Sequence, residues 1–364
     1  MIDPVSREWP RFSATLLVLS TLLLAAACGD SAMEPTNRIV GGVDLDALFS
    51  APTPAEIAAV ESEWAGRDVS AHGYVLEREE SASIGGGGAT LQVVSHTVGG
   101  LRHFGAVLVP DGFSSGELPV LVYAHGGDRG TSAEELLVVA AAVHASGARF
   151  VYVAPTFRSE SLVLATRTFI SEGPPSPWDQ DVDDALALLN TVIAHVPEAD
   201  PSRIGVLGFS RGGGVALLMG IRDARIDAVV NFFGPTDFFD GYVQGVVEDA
   251  LRMNPRDLPG LAFLDSAFIQ PLREGTIHLD ALRIELVRRS AVLFADRLPP
   301  LQTHHGTADA VVDVSQARSL DEALTRLGRT PPDYEVFIYP GAGHSPLEMP
   351  IALQRAFDFL GRVQ

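Results

Sequence analysis

From about residue 103 to its end, the chain alternates short apolar runs with longer stretches of helical spacing, and few folds accept that rhythm. Phe104–Val109, Val120–Tyr123, Arg149–Ala154, Arg203–Phe209, Asp227–Phe233, Pro300–Thr303 and Tyr334–Tyr339 read as strands. Ala133–Ser146, a segment opened by Pro177-Trp178-Asp179 and running to about Val196, Gly212–Ile221, Ser315–Leu327 and Pro346–Leu360 read as helices. Gly147 supplies a C-terminal stop for the first helix, and Pro177 suits the start of the second. Strands that are apolar along their whole length are buried on both faces. Together with intervening helices they predict an α/β unit, with a mostly parallel central sheet covered on both sides. Residues 237–297 break the alternation with mixed helical segments and scattered Pro. So long an excursion inside a compact unit predicts a helical lid or binding insertion.

Upstream of this unit, Pro54–Ala65 has helical spacing, with Ile57, Val60 and Trp64 on one face. Gly73–Arg78 and Leu91–Val98 read as strands, and Gly85-Gly86-Gly87-Gly88 between them as a hairpin loop. Arg7 and Arg11 precede an apolar run, Ala14–Ala27, which is shorter than a membrane span and suits the h-region of an export signal. Ala25-Ala26-Ala27-Cys28 resembles a bacterial lipobox, which implies lipidation of Cys28; ordinary cleavage after Ala27 is the alternative. The expected organisation is an export signal of lipoprotein type over 1–27, a tether over 28–52, a helix-and-strand extension over 53–102, and a catalytic unit over 103–364 that carries the 237–297 insertion. The expected location is the cell envelope, with the membrane reached only through a lipid on Cys28, or else the periplasm or the medium. Cys28 is the single cysteine, which excludes a disulfide framework and any cysteine-based zinc site. A formal net charge of −20 argues against nucleic acid as a partner, because such binding is driven by basic groups neutralising phosphates.

The chemistry concentrates at Gly208-Phe209-Ser210-Arg211-Gly212. A strand, RIGVLGF, precedes this pentapeptide and a helix, GGGVALLMG, follows it. In a strand–GxSxG–helix turn the serine hydroxyl is thrust out at the carboxyl edge of the sheet. Gly112-Phe113-Ser114-Ser115-Gly116 fits the same pattern, but it lies between two strands with no helix after it, so Ser114 reads as a loop residue. A serine hydroxyl needs a base held by a third group. Asp309 in HHGTAD and His344 in YPGAGH both lie on loops that follow strands, and loops at the carboxyl ends of parallel strands share one edge. Asp237, in GPTD after the preceding strand, is a rival for the acid. His125-Gly126-Gly127-Asp128 follows the strand VLVYA. The backbone N–H groups of Gly127 and Arg211 are the candidate oxyanion donors.

These stretches, AHGG (Ala124–Gly127), GFSRGG around Ser210, HGTADAVV around Asp309 and YPGAGH ending at His344, resemble the α/β-hydrolase superfamily. They are most similar to the catalytic domain of the prolyl oligopeptidase family and its dienelactone-hydrolase and esterase relatives. The resemblance covers residues 103–364. It implies the α/β-hydrolase fold, Ser210 as nucleophile, Asp309 as acid, His344 as base, and cleavage of an ester or amide bond through an acyl-enzyme. The stretch from Cys28 to Arg102 is too short for the β-propeller of the large peptidases, and Thr156-Phe157-Arg158-Ser159 matches their Asn/Tyr-Arg-Gly segment only in part. A small acyl ester is therefore expected ahead of a peptide. No cofactor and no metal is called for. A surface lipoprotein that binds ligands without catalysis is the reading from another class. Asp179, Asp181, Asp183 and Asp184 read as first-turn acids facing a helix dipole. Arg158 and Arg211 read either as anchors for a substrate carboxylate or as partners of local acids. His125 and His305 read as residues that hold their loops.

Overall fold

The computed structural model describes residues 37–364 as one body. The expected export signal over 1–27 and the expected lipidation site Cys28 lie outside the described residues. Nine strands form one sheet: β1 (Val75–Ile84), β2 (Gly87–Val98), β3 (Leu101–Pro110), β4 (Leu118–Ala124), β5 (Val151–Pro155), β6 (Ala199–Phe209), β7 (Ile226–Phe232), β8 (Leu301–Gly306) and β9 (Tyr334–Tyr339). Their order is β9-β8-β7-β6-β4-β5-β3-β2-β1. The strands from β9 to β5 in that order run parallel, and β5 meets β3 in antiparallel fashion. The hairpin β1–β2 and the strand β3 extend the same sheet as an antiparallel meander. The expected break at 102/103 thus falls inside β3, and the extension belongs to the sheet of the main unit.

Along β4 the side chains divide by parity. Val120, Val122 and Ala124 join one buried cluster, while Leu121 and Tyr123 join the other. This is the two-residue period of a strand buried on both faces. Eight helices matter for the site: α1 (Pro54–Ala65), α2 (Ala133–Ala145), α3 (Gln180–His195), α4 (Arg211–Arg222), α5 (Gly241–Leu251), α6 (Leu279–Arg289), α7 (Ser315–Arg326) and α8 (Ala352–Leu360). Leu188, Leu218 and Leu320 place α3, α4 and α7 on one face of the sheet. Leu136 and Phe359 place α2 and α8 on the other. The last helix starts later than its spacing predicts, because Pro346–Glu348 forms a separate 3-10 turn and Ile351 adopts φ +56°.

The expected tether needs correction. Within it, Ile39–Val40 pairs with Val43–Asp44, and Leu45–Leu48 forms one helical turn. Val43, Leu45 and Leu48 are buried. Arg283 of α6 donates from Nη1 to the carbonyls of Ala47 (2.9 Å), Leu48 (2.8 Å) and Ser50 (3.0 Å), which satisfies acceptors left open at the end of that turn. Immediately afterwards α1 begins with a capping box: Thr53 accepts from Glu56 N–H, and the Glu56 carboxylate accepts from Thr53 N–H. These elements are too short to show a period in sequence. The 237–297 insertion is helical as expected, and its buried residues Val246, Leu264 and Leu286 merge with the cluster under α3 and α4.

Candidate active site

Ser210 sits between β6 and α4 with φ +55° and ψ −121°, a strained conformation for a residue with a side chain. The surroundings hold it there. A Cβ on Gly208 would stand 2.0 Å from the Gly212 carbonyl oxygen, and one on Gly212 would stand 2.0 Å from that of Ala124. Both positions need glycine, because strand, helix and the neighbouring β4 backbone close to contact there. The turn presents the hydroxyl at the carboxyl edge of the sheet.

The loops after β8 and β9 bring their residues to the same point. His344 Nε2 lies 2.9 Å from Ser210 Oγ, and His344 Nδ1 lies 2.7 Å from Asp309 Oδ2. Oδ1 of Asp309 accepts from the N–H groups of Val311 (2.9 Å) and Val312 (3.0 Å), so the carboxylate is fixed by its own loop. Burial works against the Asp309 charge. The hydrogen bond to His344 and the two backbone N–H groups outweigh it and hold the carboxyl below its usual pKa. Phe233 packs on the His344 ring at 4.3 Å between centroids.

The rival acid does not reach this point: Asp237 turns its carboxylate to the N–H of Phe239 (2.9 Å). Ser114 lies in the turn between β3 and β4, where its N–H donates to Glu117. His305 is buried, with Nε2 2.8 Å from the Val312 carbonyl. His304 is buried between Phe232 and Phe337. Among the described residues no group of three or more His, Cys, Asp or Glu side chains is placed to hold a metal ion.

The loop after β4 runs along Ser210. A Cβ on Gly126 would lie 3.2 Å from Ser210 Cβ, and Gly127 adopts φ +74°. The Gly127 carbonyl accepts from Arg211 Nη1 at 3.1 Å. Arg211 therefore touches this loop twice over: its backbone follows Ser210 directly, and its side chain grips the loop that faces Ser210. The rest of its guanidinium is occupied. Nε and Nη2 form a bidentate pair with Asp181, both bonds 2.7 Å long, and Nη1 also donates to Glu160. One guanidinium faces two carboxylates here. Burial and the neighbouring Asp181 charge push Glu160 up to about 7, even though Arg211 opposes them. His125 Nδ1–H donates to the Gly126 carbonyl (3.1 Å), which leaves Nε2 as an acceptor 3.4 Å from Glu160 Oε2. Burial lowers His125 to about 4, so its ring is neutral at pH 7.

The other acids of α3 are likewise paired. Asp184 holds Arg158 through Nε (3.1 Å) and Nη2 (2.5 Å), Asp183 meets Arg67 (3.1 Å) and Arg222 (2.5 Å), and Asp179 meets Arg67 (2.6 Å). Asp181 and Asp183 stand in the first turn as expected and Asp179 at its N-cap, and beyond that the four acids form a buried ion-pair platform. Neither Arg158 nor Arg211 is free for a substrate carboxylate.

On the far side of Ser210 is a pocket of about 760 Å³, mouth included, with a wall almost entirely apolar. Phe238, Tyr242, Val246, Leu264 and Leu286 of the insertion supply much of it, and Trp178 and Val312 close it from the main unit. A binding role for the 237–297 insertion is expected from its length, but the space itself is not, because apolar residues at helical spacing read as core.

The sheet order and the helices on both of its faces define an α/β-hydrolase scaffold. Residues 120–356 match the alpha/beta hydrolase family, and the chain belongs to that family. Among curated proteins it is 29% identical over 189 residues to Esterase LipC of Mycobacterium tuberculosis, across 47% of this chain and 42% of that protein. The match thus spans less than half the length of that relative. Among solved structures, acetyl xylan esterase 1 from Thermoanaerobacterium sp. JW/SL YS485 superposes with a TM-score of 0.60 at 19% identity, covering 88% of this chain and 99% of that one. A puromycin-hydrolyzing peptidase of Mycobacterium tuberculosis gives 0.50 at 16% identity, over 76% of this chain and 46% of that one. At such identities the two structures speak to the fold alone.

Proposed function

We propose that the chain is a carboxylic ester hydrolase in which Ser210, His344 and Asp309 act as nucleophile, base and orienting acid. One observation carries the reading: an unbroken hydrogen-bonded line runs from Ser210 Oγ through both nitrogens of His344 to Asp309, at 2.9 and 2.7 Å. In this mechanism Ser210 Oγ attacks the ester carbonyl while its proton passes to His344 Nε2. Asp309 holds Nδ1–H and stabilises the imidazolium. The carbonyl oxygen becomes an oxyanion facing the backbone N–H groups of Gly127 and Arg211, where loss of one donor costs about 10²–10³ in rate. Collapse expels the alcohol, which takes the proton from His344. Water then enters by the same route and releases the acid.

An ester is favoured over a peptide for two reasons. The curated relative with the matching segment is named an esterase. The two buried carboxylates near Ser210, Asp181 and Glu160, are both engaged by Arg211, so neither is free to grip a peptide amino terminus. The test is labelling by a fluorophosphonate, with Ser210→Ala as control, beside parallel assays of p-nitrophenyl esters and aminoacyl p-nitroanilides. Faster cleavage of the anilides reverses the order of the two substrates, and absence of labelling in folded protein leaves a binding protein. Export with lipidation at Cys28 is proposed on the lipobox-like AAAC alone. Replacing Cys28 by Ser abolishes incorporation of labelled palmitate if that proposal holds.

A further inference from the structure

We infer that the substrate carries a neutral apolar arm longer than acetyl, and that this arm lies in the pocket built beside Ser210 by α5, α6 and the segment joining them. The inference rests on the ester hydrolase reading above.

Val243, Val246 and Val247 stand at i, i+3 and i+4 on α5, and Leu282 and Leu286 at i and i+4 on α6, so each helix turns one apolar stripe into the same space. On an ordinary core helix such a stripe meets another side chain. Here both stripes border open volume that ends at the nucleophile. All but one of the polar groups on the residues that line the space are engaged. The Arg211 guanidinium is held by Asp181, Glu160 and the Gly127 carbonyl. The Tyr242 hydroxyl donates to the Val311 carbonyl. The indole N–H of Trp178, beside Gly214 of α4, is buried without an acceptor. A sugar ring or a charged group entering this wall gives up many hydrogen bonds to water for at most that one donor. An acetyl group satisfies the chemistry but leaves most of the wall uncovered. Each further methylene removed from water inside the pocket raises kcat/KM about fourfold, until the space is filled.

The arm belongs either to the acid or to the alcohol of the ester, and two substrate series separate them. The first is p-nitrophenyl acetate, butyrate, hexanoate and octanoate. The second is ethyl, butyl, hexyl and octyl acetate. The expected result is a kcat/KM that climbs at least tenfold from the shortest to the longest member of one series. Val246→Trp, which narrows the pocket, then lowers kcat/KM for the longest member at least tenfold more than for the shortest. Ser210-dependent turnover that is flat or falls with length in both series overturns the inference and leaves the hydrolase reading standing. If neither series is cleaved and no probe labels Ser210, the hydrolase reading falls. The pocket is then read by calorimetry on Ser210→Ala with 1-butanol and 1-octanol. Tighter octanol binding that Val246→Trp removes supports the apolar site, and equal binding overturns it.

Discussion

On one side of Ser210 lie His344, Asp309 and the Arg211 cluster, tied together by charged and polar hydrogen bonds. On the other side lies a wall of Val, Leu and Ile from a different part of the chain. The polar side is held by directional bonds, in which a single lost partner leaves a buried charge exposed to its own desolvation cost. The apolar side is held by packing, and tolerates changes of shape at modest cost provided volume is kept. The two sides therefore answer differently to mutation, and the contrast can be attacked from either.

The largest effect is expected in the hydrogen-bonded line. Ser210→Ala or His344→Ala should lower kcat by at least about 10⁴-fold, and the double variant should be little worse than either single one, because residues acting as one unit are not additive. Steady-state kinetics on the two singles and the double decide it; clean additivity would separate the residues. Asp309→Asn should also cost about 10⁴-fold, since an amide holds the wrong tautomer of His344. Asp237→Asn should leave the rate within a few-fold.

Arg211→Met leaves Asp181 and Glu160 without their cation in a buried place. It should cost about 3–5 kcal/mol of stability, measured by urea denaturation. Arg283→Ala on α6 is the matching test for a second buried arginine, away from Ser210. It frees the carbonyls of Ala47, Leu48 and Ser50 and should cost about 2–3 kcal/mol. It should also open residues 37–52 to proteolysis before the rest of the body, whereas Arg211→Met should not.

Glu160 gives a pH signature. Its folded pKa of about 7 stands above the ordinary 4.5, so between those values the folded state holds a proton that the unfolded state has lost. The stability this group contributes is complete below 4.5 and fades as pH rises through 7. Glu160→Gln should flatten the stability-against-pH curve between pH 5 and 8, by an amount on the order of 1–3 kcal/mol. An unchanged slope in thermal or urea melts would assign the proton elsewhere. Smallest is Thr53→Ala, which removes one cap of α1 and should cost about 1 kcal/mol.

The polar side was largely legible in the sequence, because its chemistry sits in short motifs whose context is local. A strand and a helix flank Ser210, and Gly-rich turns precede Asp309 and His344. The HGTAD context of Asp309 favours it over Asp237, although both follow strands of one sheet and the path of each loop is not written in the sequence. The acids at the start of α3 stand in its first turn as expected, but their ion pairs are not legible, because Arg67, Arg158, Arg211 and Arg222 lie elsewhere in the chain. On the apolar side, Val246 and Leu286 carry the same spacing as residues that fill a core. Spacing shows which face of a helix is apolar and leaves open whether that face meets protein or space. The segment before Thr53 was read as slack because a two-residue hairpin and a one-turn helix are shorter than any period.

Most of the apolar wall beside Ser210 comes from the 237–297 insertion, and Val312, which also holds Asp309, is where the wall meets the polar side. None of Ser210, Asp309 or His344 lies on α5 or α6. A combinatorial library confined to the wall positions of those two helices would therefore search new substrate ranges against an unaltered reaction centre. Natural drift in the same stretch would let descendants of one ancestor part ways in diet while sharing a mechanism.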